Sequence, residues 1–154
     1  MARARLDLES LRRSPTFRSL SDADGQALIP CFRARQYPAG ATLFEEGDPG
    51  NSLILIGEGT LMATSRTASG KLKAYARMGP GELAGEMAFL DPTPRAATVT
   101  CVTDAVVYEL DRDSMEVLRN NVPGAAQALL LAAAASVARR LRRLQDRIDH
   151  ELHR

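Results

Sequence analysis

The chain has 154 residues, 45% of them apolar and 25% charged, with a formal net charge of +1; this suits one folded domain of ordinary composition. The near-neutral balance excludes a general binder of nucleic-acid backbone, and 5% aromatic content without Trp excludes a stacking platform for single strands. Cys31 and Cys101 form no CxxC pair and two histidines near the end cannot build a zinc site alone, so no metal centre and no metal-dependent hydrolysis is expected.

Taken in chain order, the first residues are Arg-rich and interrupted by charge, unlike a secretory leader. Residues 6–11 read as a short helix that ends at Arg12, Arg13 and Pro15, and Ser21 reads as the N-cap of a helix over 21–29. Residues 1–32 therefore form an expected helical cap. From Arg33 the texture changes to short runs rich in Thr, Val, Ile and Leu (42–44, 53–56, 60–64, 72–77, 96–102 and 105–110), punctuated by Gly and Pro. Strands at this spacing predict an antiparallel β-roll of jelly-roll type over 33–110, in an α+β fold. Both cysteines stand among strand-like apolar neighbours, which fits buried thiols in a reducing compartment. Past Asp111, a natural N-cap, the pattern turns helical to about Asn120, and Pro123 opens a longer helix reaching about 150. The apolar run 125–138 is alanine-heavy and broken by Gln127 and Ser136, too short to span a bilayer; a cytoplasmic setting is expected. Leu130, Ala134, Val137, Leu141, Leu144 and Ile148 alternate in steps of four and three, a heptad seam suited to pairing with a second copy. The arginines at 139, 140, 142 and 143 read as the solvated face of that helix, diluted by Asp146, Asp149 and Glu151.

The chemically suggestive stretch is GEMAFLDPTPRAATV, residues 85–99. Gly85 opens a short helix-favouring segment that Pro92 and Pro94 close. The first N–H groups of such a turn lack partners, and with the positive helix end they suit an anion. Arg95, placed at the start of the next strand, carries a planar fork that holds two phosphate oxygens. Glu86 can accept from a sugar hydroxyl, and Ala96 and Ala97 leave room. On residue types alone, mutual pairing of Glu86 with Arg95 in a surface turn, worth under ~1 kcal/mol, fits as well as a shared ligand.

The same stretch resembles the phosphate-binding cassette of cyclic-nucleotide-binding domains, above all those of protein kinase A regulatory subunits. Phe44-Glu45-Glu46-Gly47-Asp48 and Leu55-Ile56-Gly57-Glu58-Gly59 resemble the early strands of that family. The likeness runs over about residues 15–148. It implies Gly85 and Glu86 as the ribose-binding pair, Met87 and Ala88 as backbone donors, and Arg95 as the phosphate-binding arginine, followed by the small residues Ala96 and Ala97. Members preferring cGMP tend to carry Thr where Ala96 stands, which tilts the expected ligand towards cAMP. The Phe common before the Gly-Glu pair is Ala84 here, a looser packing behind the cassette. In the catabolite activator protein the matching final helix dimerises and contacts adenine, which implies Leu144 and Gln145 as base contacts and Val137, Leu141, Leu144 and Ile148 as a dimer seam.

The expected whole is a stand-alone cyclic-nucleotide-binding regulatory module, non-enzymatic and without catalytic residues, that couples ligand to its C-terminal helix. The alternatives are an interaction scaffold of the same fold that no longer binds nucleotide, or the sensor part of a larger channel, transporter or regulator. A single cassette arginine fits one phosphate better than the two of a dinucleotide. No helix-turn-helix follows the long helix before Arg154, so no DNA-reading element is expected.

Overall fold

In a computed structural model describing residues 5–153, short N-terminal helices and a long C-terminal helix pack against a roll of eight strands. Residues 1–4 of the expected helical cap, and residue 154, lie outside the described residues. Helix α1 (Leu8–Arg13) is capped by Asp7, which accepts from the Ser10 N–H at 2.7 Å. Helix α2 (Asp22–Leu28) starts as expected on Ser21, whose hydroxyl accepts from the Asp24 N–H at 3.1 Å. A 3-10 turn, Ile29–Cys31, leads into the roll.

The strands are β1 (Arg33–Tyr37), β2 (Thr42–Phe44), β3 (Leu53–Glu58), β4 (Leu61–Arg66), β5 (Leu72–Met78), β6 (Leu83–Ala84), β7 (Thr98–Cys101) and β8 (Ala105–Leu110). They form two antiparallel four-stranded sheets, ordered β1-β8-β3-β6 and β2-β7-β4-β5. Strand β3 explains the uninterrupted apolar run Leu53-Ile54-Leu55-Ile56. Ile54 and Ile56 face the second sheet, with Leu61, Val99 and Val107. Leu53 and Leu55 face the helices, with Leu11, Phe17, Leu28 and Leu129. A strand buried on both sides has no polar alternation to show.

Two strands fall outside the predicted runs. β1 is polar and exposed, held by its register against β8 and by an Arg35–Glu109 ion pair at 2.8 Å. β6 has only two residues, yet its pairing with β3 sets the start of the cassette. The strand predicted over 96–102 begins only at Thr98. Arg95 is not its first residue, because its backbone is tied elsewhere: its N–H donates to Asp48 O at 2.8 Å, and its carbonyl accepts from Gly47 N–H at 2.9 Å.

Helix α3 (Glu86–Leu90) interrupts the roll. Helix α4 (Arg112–Asn121) is capped by Asp111 through the Ser114 N–H at 2.8 Å. Helix α5 (Pro123–Leu152) has proline in its first turn, as expected. Its first half buries Ala125, Ala126, Leu129, Ala132 and Ala133, and every described residue from Leu141 onward is exposed. No described helix is long and apolar enough to cross a membrane.

Candidate functional site

The site is built where β6 hands the chain to α3. Ile54 pairs with Ala84, so the next residue, Gly85, is fixed at the edge of a buried strand. Gly85 has φ +74°, a left-handed conformation that glycine takes without a Cβ penalty. A Cβ there would also meet the Arg95 guanidinium and Ser52 O, and a Cβ on Gly50 would strike the same guanidinium. Two glycines thus make the slot into which Arg95 reaches. The first intrahelical bond of α3 runs from Phe89 N–H to Gly85 O at 3.3 Å, so the amides before it have no helical partners.

Arg95 is 5% exposed. Its Nη1 donates to Ser52 O at 3.1 Å and Gly85 O at 3.3 Å, its Nη2 donates to Ser52 Oγ at 3.0 Å, and Cζ lies 4.1 Å from the Phe44 ring centre. The Nε–H is buried with no acceptor. No ion pair to Arg95 forms among the described residues. Burial pulls its pKa down against the more distant fields of Glu109 and Asp48, and a guanidinium stays charged through such a change. It is a fixed cation without a counter-ion.

Glu86 is wholly buried. Its nearest cation is not Arg95 but Arg140 on α5, whose Nη1 sits 2.7 Å from Oε1. That contact is an ion pair without an aligned N–H, for neither carboxylate oxygen accepts a hydrogen bond. Burial pushes the Glu86 pKa up; Arg140 and the residue's own backbone N–H oppose it without cancelling it. The mutual Glu86–Arg95 pair is absent. The arginine cluster also divides, against the expectation of one solvated face. Arg140 and Arg139 are half-buried, Arg139 donating to Thr16 Oγ1 at 3.1 Å, whereas Arg142 and Arg143 are exposed.

Seven of the sequence-derived positions, Gly85, Glu86, Met87, Ala88, Arg95, Ala96 and Ala97, line one cleft with a cavity volume of about 50 Å³. Ala88 and Ala97 are buried in it, while Met87, 52% exposed, and Ala96 stand at the rim. Phe44, Ala63, Met78, Ala84 and Val99 complete an apolar wall, and Arg140 is the lining residue from α5. The small Ala84 side chain, 1% exposed, widens this wall rather than filling it. Leu144 and Gln145 are not brought to the cleft. Leu144 lines a neighbouring groove with Arg140, Arg143 and Arg147, and Gln145 is exposed. Sequence reasoning missed Arg140, Ser52 and Phe44 as site residues. For Ser52 the glycine two positions before it, Gly50, is a usable signal; for Arg140, far along a helix, there is no local one.

The orphaned side-chain groups of the cleft are one buried donor, the Arg95 Nε–H, and two buried acceptors, the Glu86 carboxylate oxygens. The model of the cyclic nucleotide-binding domain matches residues 34–121. The cyclic AMP receptor protein of Thermus thermophilus is 33% identical over 139 residues, covering 90% of this chain and 62% of its own length; the chain spans about three-fifths of such curated relatives. Among solved structures, a cyclic nucleotide-binding domain from Methylobacillus flagellatus superposes with TM-score 0.84 at 26% identity, covering 94% of this chain and 81% of that one. The regulatory domain of Toxoplasma gondii PKA with cAMP superposes with TM-score 0.64 at 34% identity, covering 71% and 42%. The fold, the cleft and these matches agree: the chain belongs to the cyclic nucleotide-binding domain family.

Proposed function

We propose that this chain is a regulatory module that binds a cyclic nucleotide, cAMP in preference to cGMP, and performs no catalysis. The observation that carries the reading is Arg95: a buried cation with an unpartnered Nε–H, no counter-ion among the described residues, and glycines on either side that admit it. Leaving such a charge unpaired is costly, and a phosphodiester anion supplies the missing partner with two oxygens for the fork. Glu86 takes the sugar hydroxyl, Met87 and Ala88 offer backbone N–H groups, and the absence of a hydroxyl on Ala96 withholds a contact from guanine. Leu144 and Gln145 meet the base only if α5 moves or a second copy supplies its helix. The exposed seam of Leu141, Leu144 and Ile148, continued by half-buried Val137, is the surface for that second copy.

The test is calorimetric titration of cAMP and cGMP, side by side, into the wild type, Arg95→Ala and Arg142→Ala. Binding that is lost only in Arg95→Ala supports the reading; equal losses in both variants show that the cleft is not the site. A second reading, a scaffold that keeps the roll without binding nucleotide, draws on the Arg140–Glu86 pair that already occupies the cleft. Absence of heat at millimolar nucleotide favours it.

A further inference from the structure

The charge of the chain is balanced overall but not locally. Five of its 20 basic residues, Arg77, Arg139, Arg140, Arg143 and Arg147, line two cavities of about 150 and 100 Å³. Arg140, Arg143 and Glu82 belong to both, so the two form one trough. It is separate from the cleft, with which it shares only Met78 and Arg140. Of the 19 acidic residues, Glu82 is the one that lines the trough, and its Oε2 already accepts from the Gly79 N–H at 2.7 Å. Arg140 is paired with Glu86, but no ion pair to Arg77, Arg139, Arg143 or Arg147 forms among the described residues. Arg139, Arg143 and Arg147 follow one another at four-residue steps of α5. Like charges in such a row repel and weaken the helix that carries them, unless something anionic lies alongside.

The wall opposite α5 in the smaller cavity is β5, through Ala76, Arg77 and Met78. Neighbouring strand residues point to opposite faces, so a cavity that three in a row line meets the strand at its edge. That edge is free: β5 is the outermost strand of its sheet and pairs only with β4. A free edge carries N–H and C=O groups without ladder partners. We propose that the trough docks an extended, acidic peptide segment of a partner protein, which adds to the edge of β5 and sets alternate carboxylates against the arginines of α5. Alternate side chains of an extended peptide are about 7 Å apart, and arginines at four-residue helical steps rise about 6 Å, so the two rows keep step. Each guanidinium can hold a carboxylate through two N–H groups, while backbone pairing at the edge adds affinity that does not depend on charge. A nucleic-acid strand matches the arginines but has no peptide groups for β5, and Glu82 within the trough opposes a uniform polyanion. Docking here requires nothing in the cleft.

The probe is a fluorescein-labelled synthetic peptide of about eight residues with glutamate alternating with threonine, titrated with the full chain and followed by anisotropy at about 150 mM salt, where long-range fields are screened. Arg143→Glu and Arg142→Glu change the net charge equally, but only Arg143 lines the trough; both are exposed. Arg143→Glu is expected to weaken binding at least about tenfold and Arg142→Glu less than about threefold. Arg147→Glu repeats the first result from the smaller cavity alone. Two further peptides, N-methylated at the threonines or at the glutamates, keep the charge and each remove one set of backbone donors. Because the N–H groups of alternate residues face the same neighbour, one of the two is expected to lose at least about tenfold and the other to bind like the parent. Equal losses in Arg142→Glu and Arg143→Glu, equal binding by both methylated peptides, or no binding of the parent peptide overturns the proposal. So does an oligothymidine that binds more tightly than the peptide and is lost in Arg143→Glu, which assigns the trough to nucleic acid.

Discussion

Arg95→Lys keeps the charge of the cleft and removes its geometry. In the wild type the two Nη groups are anchored on Ser52 O, Ser52 Oγ and Gly85 O at 3.0 to 3.3 Å, and the buried Nε–H remains for the ligand. An ammonium placed near Ser52 O offers three donors from one point and cannot anchor to both carbonyls while also presenting a donor where Nε lies. One charge-assisted hydrogen bond to the phosphate is lost, about 1.5–3 kcal/mol, which is about 10- to 150-fold in Kd. The protein loses a donor to Gly85 O or Ser52 Oγ as well, about 1–2 kcal/mol, or about 2–8 °C in Tm for a chain of this size. Calorimetry with cAMP measures the first effect, and a thermal scan without ligand measures the second. Affinity within about threefold of wild type, a difference under ~1 kcal/mol, refutes the reasoning, because the cleft would then be reading charge alone.

Three further outcomes are expected. Ala96→Thr places a hydroxyl at the rim of the cleft and raises cGMP affinity relative to cAMP; side-by-side titration giving an unchanged ratio removes the selectivity argument. Leu141→Glu puts a charge in the exposed seam, where Leu141 is 55% exposed, and light scattering should then report monomers under conditions where the wild type is dimeric. Glu86→Gln tests the buried carboxylate. Because burial raises the folded-state pKa above the unfolded one, the stability linked to protonated Glu86 is fully present at pH below the unfolded pKa and is lost as pH rises through the raised folded one. The Tm advantage of Glu86→Gln over wild type should grow across that rise and then level off; a pH-independent gap contradicts the raised pKa.

What was legible in the sequence is what local chemistry decides. Ser21 and Asp111 cap helices because short oxygen side chains accept from N–H groups three residues on, and Pro123 opens α5 because its missing N–H has no use there. Gly85, Glu86, Arg95 and the small residues after it share one cleft, as their type and spacing suggested. Other features were hidden because they depend on partners distant in the chain. β1 is polar, and only its register against β8 makes it a strand. Arg95 looks like a strand residue, but its backbone is tied to that of Gly47 and Asp48, and the strand begins only at Thr98. Arg140 sits in a run of similar arginines, and which of them turns inward depends on the rotation of α5 over the roll.

The placement of the two buried charges bears on why the cleft exists. The core between the sheets reaches the cleft through Ala84, Ala97 and Val99, so apolar side chains at 86 and 95 would extend it. Replacing buried ionic groups with well-packed apolar ones is often neutral or stabilising by about 1–4 kcal/mol, so structural stability alone gives no reason for this arrangement. Nor do the charges satisfy each other, as they would in a purely structural pair. Arg95 is instead oriented by neutral acceptors that leave its charge uncancelled, and Glu86 is paired with Arg140 of α5, beyond which every described residue of the helix is exposed. A fixed cation beside a buried anion is an arrangement whose cost falls when an anionic, hydroxyl-bearing molecule enters.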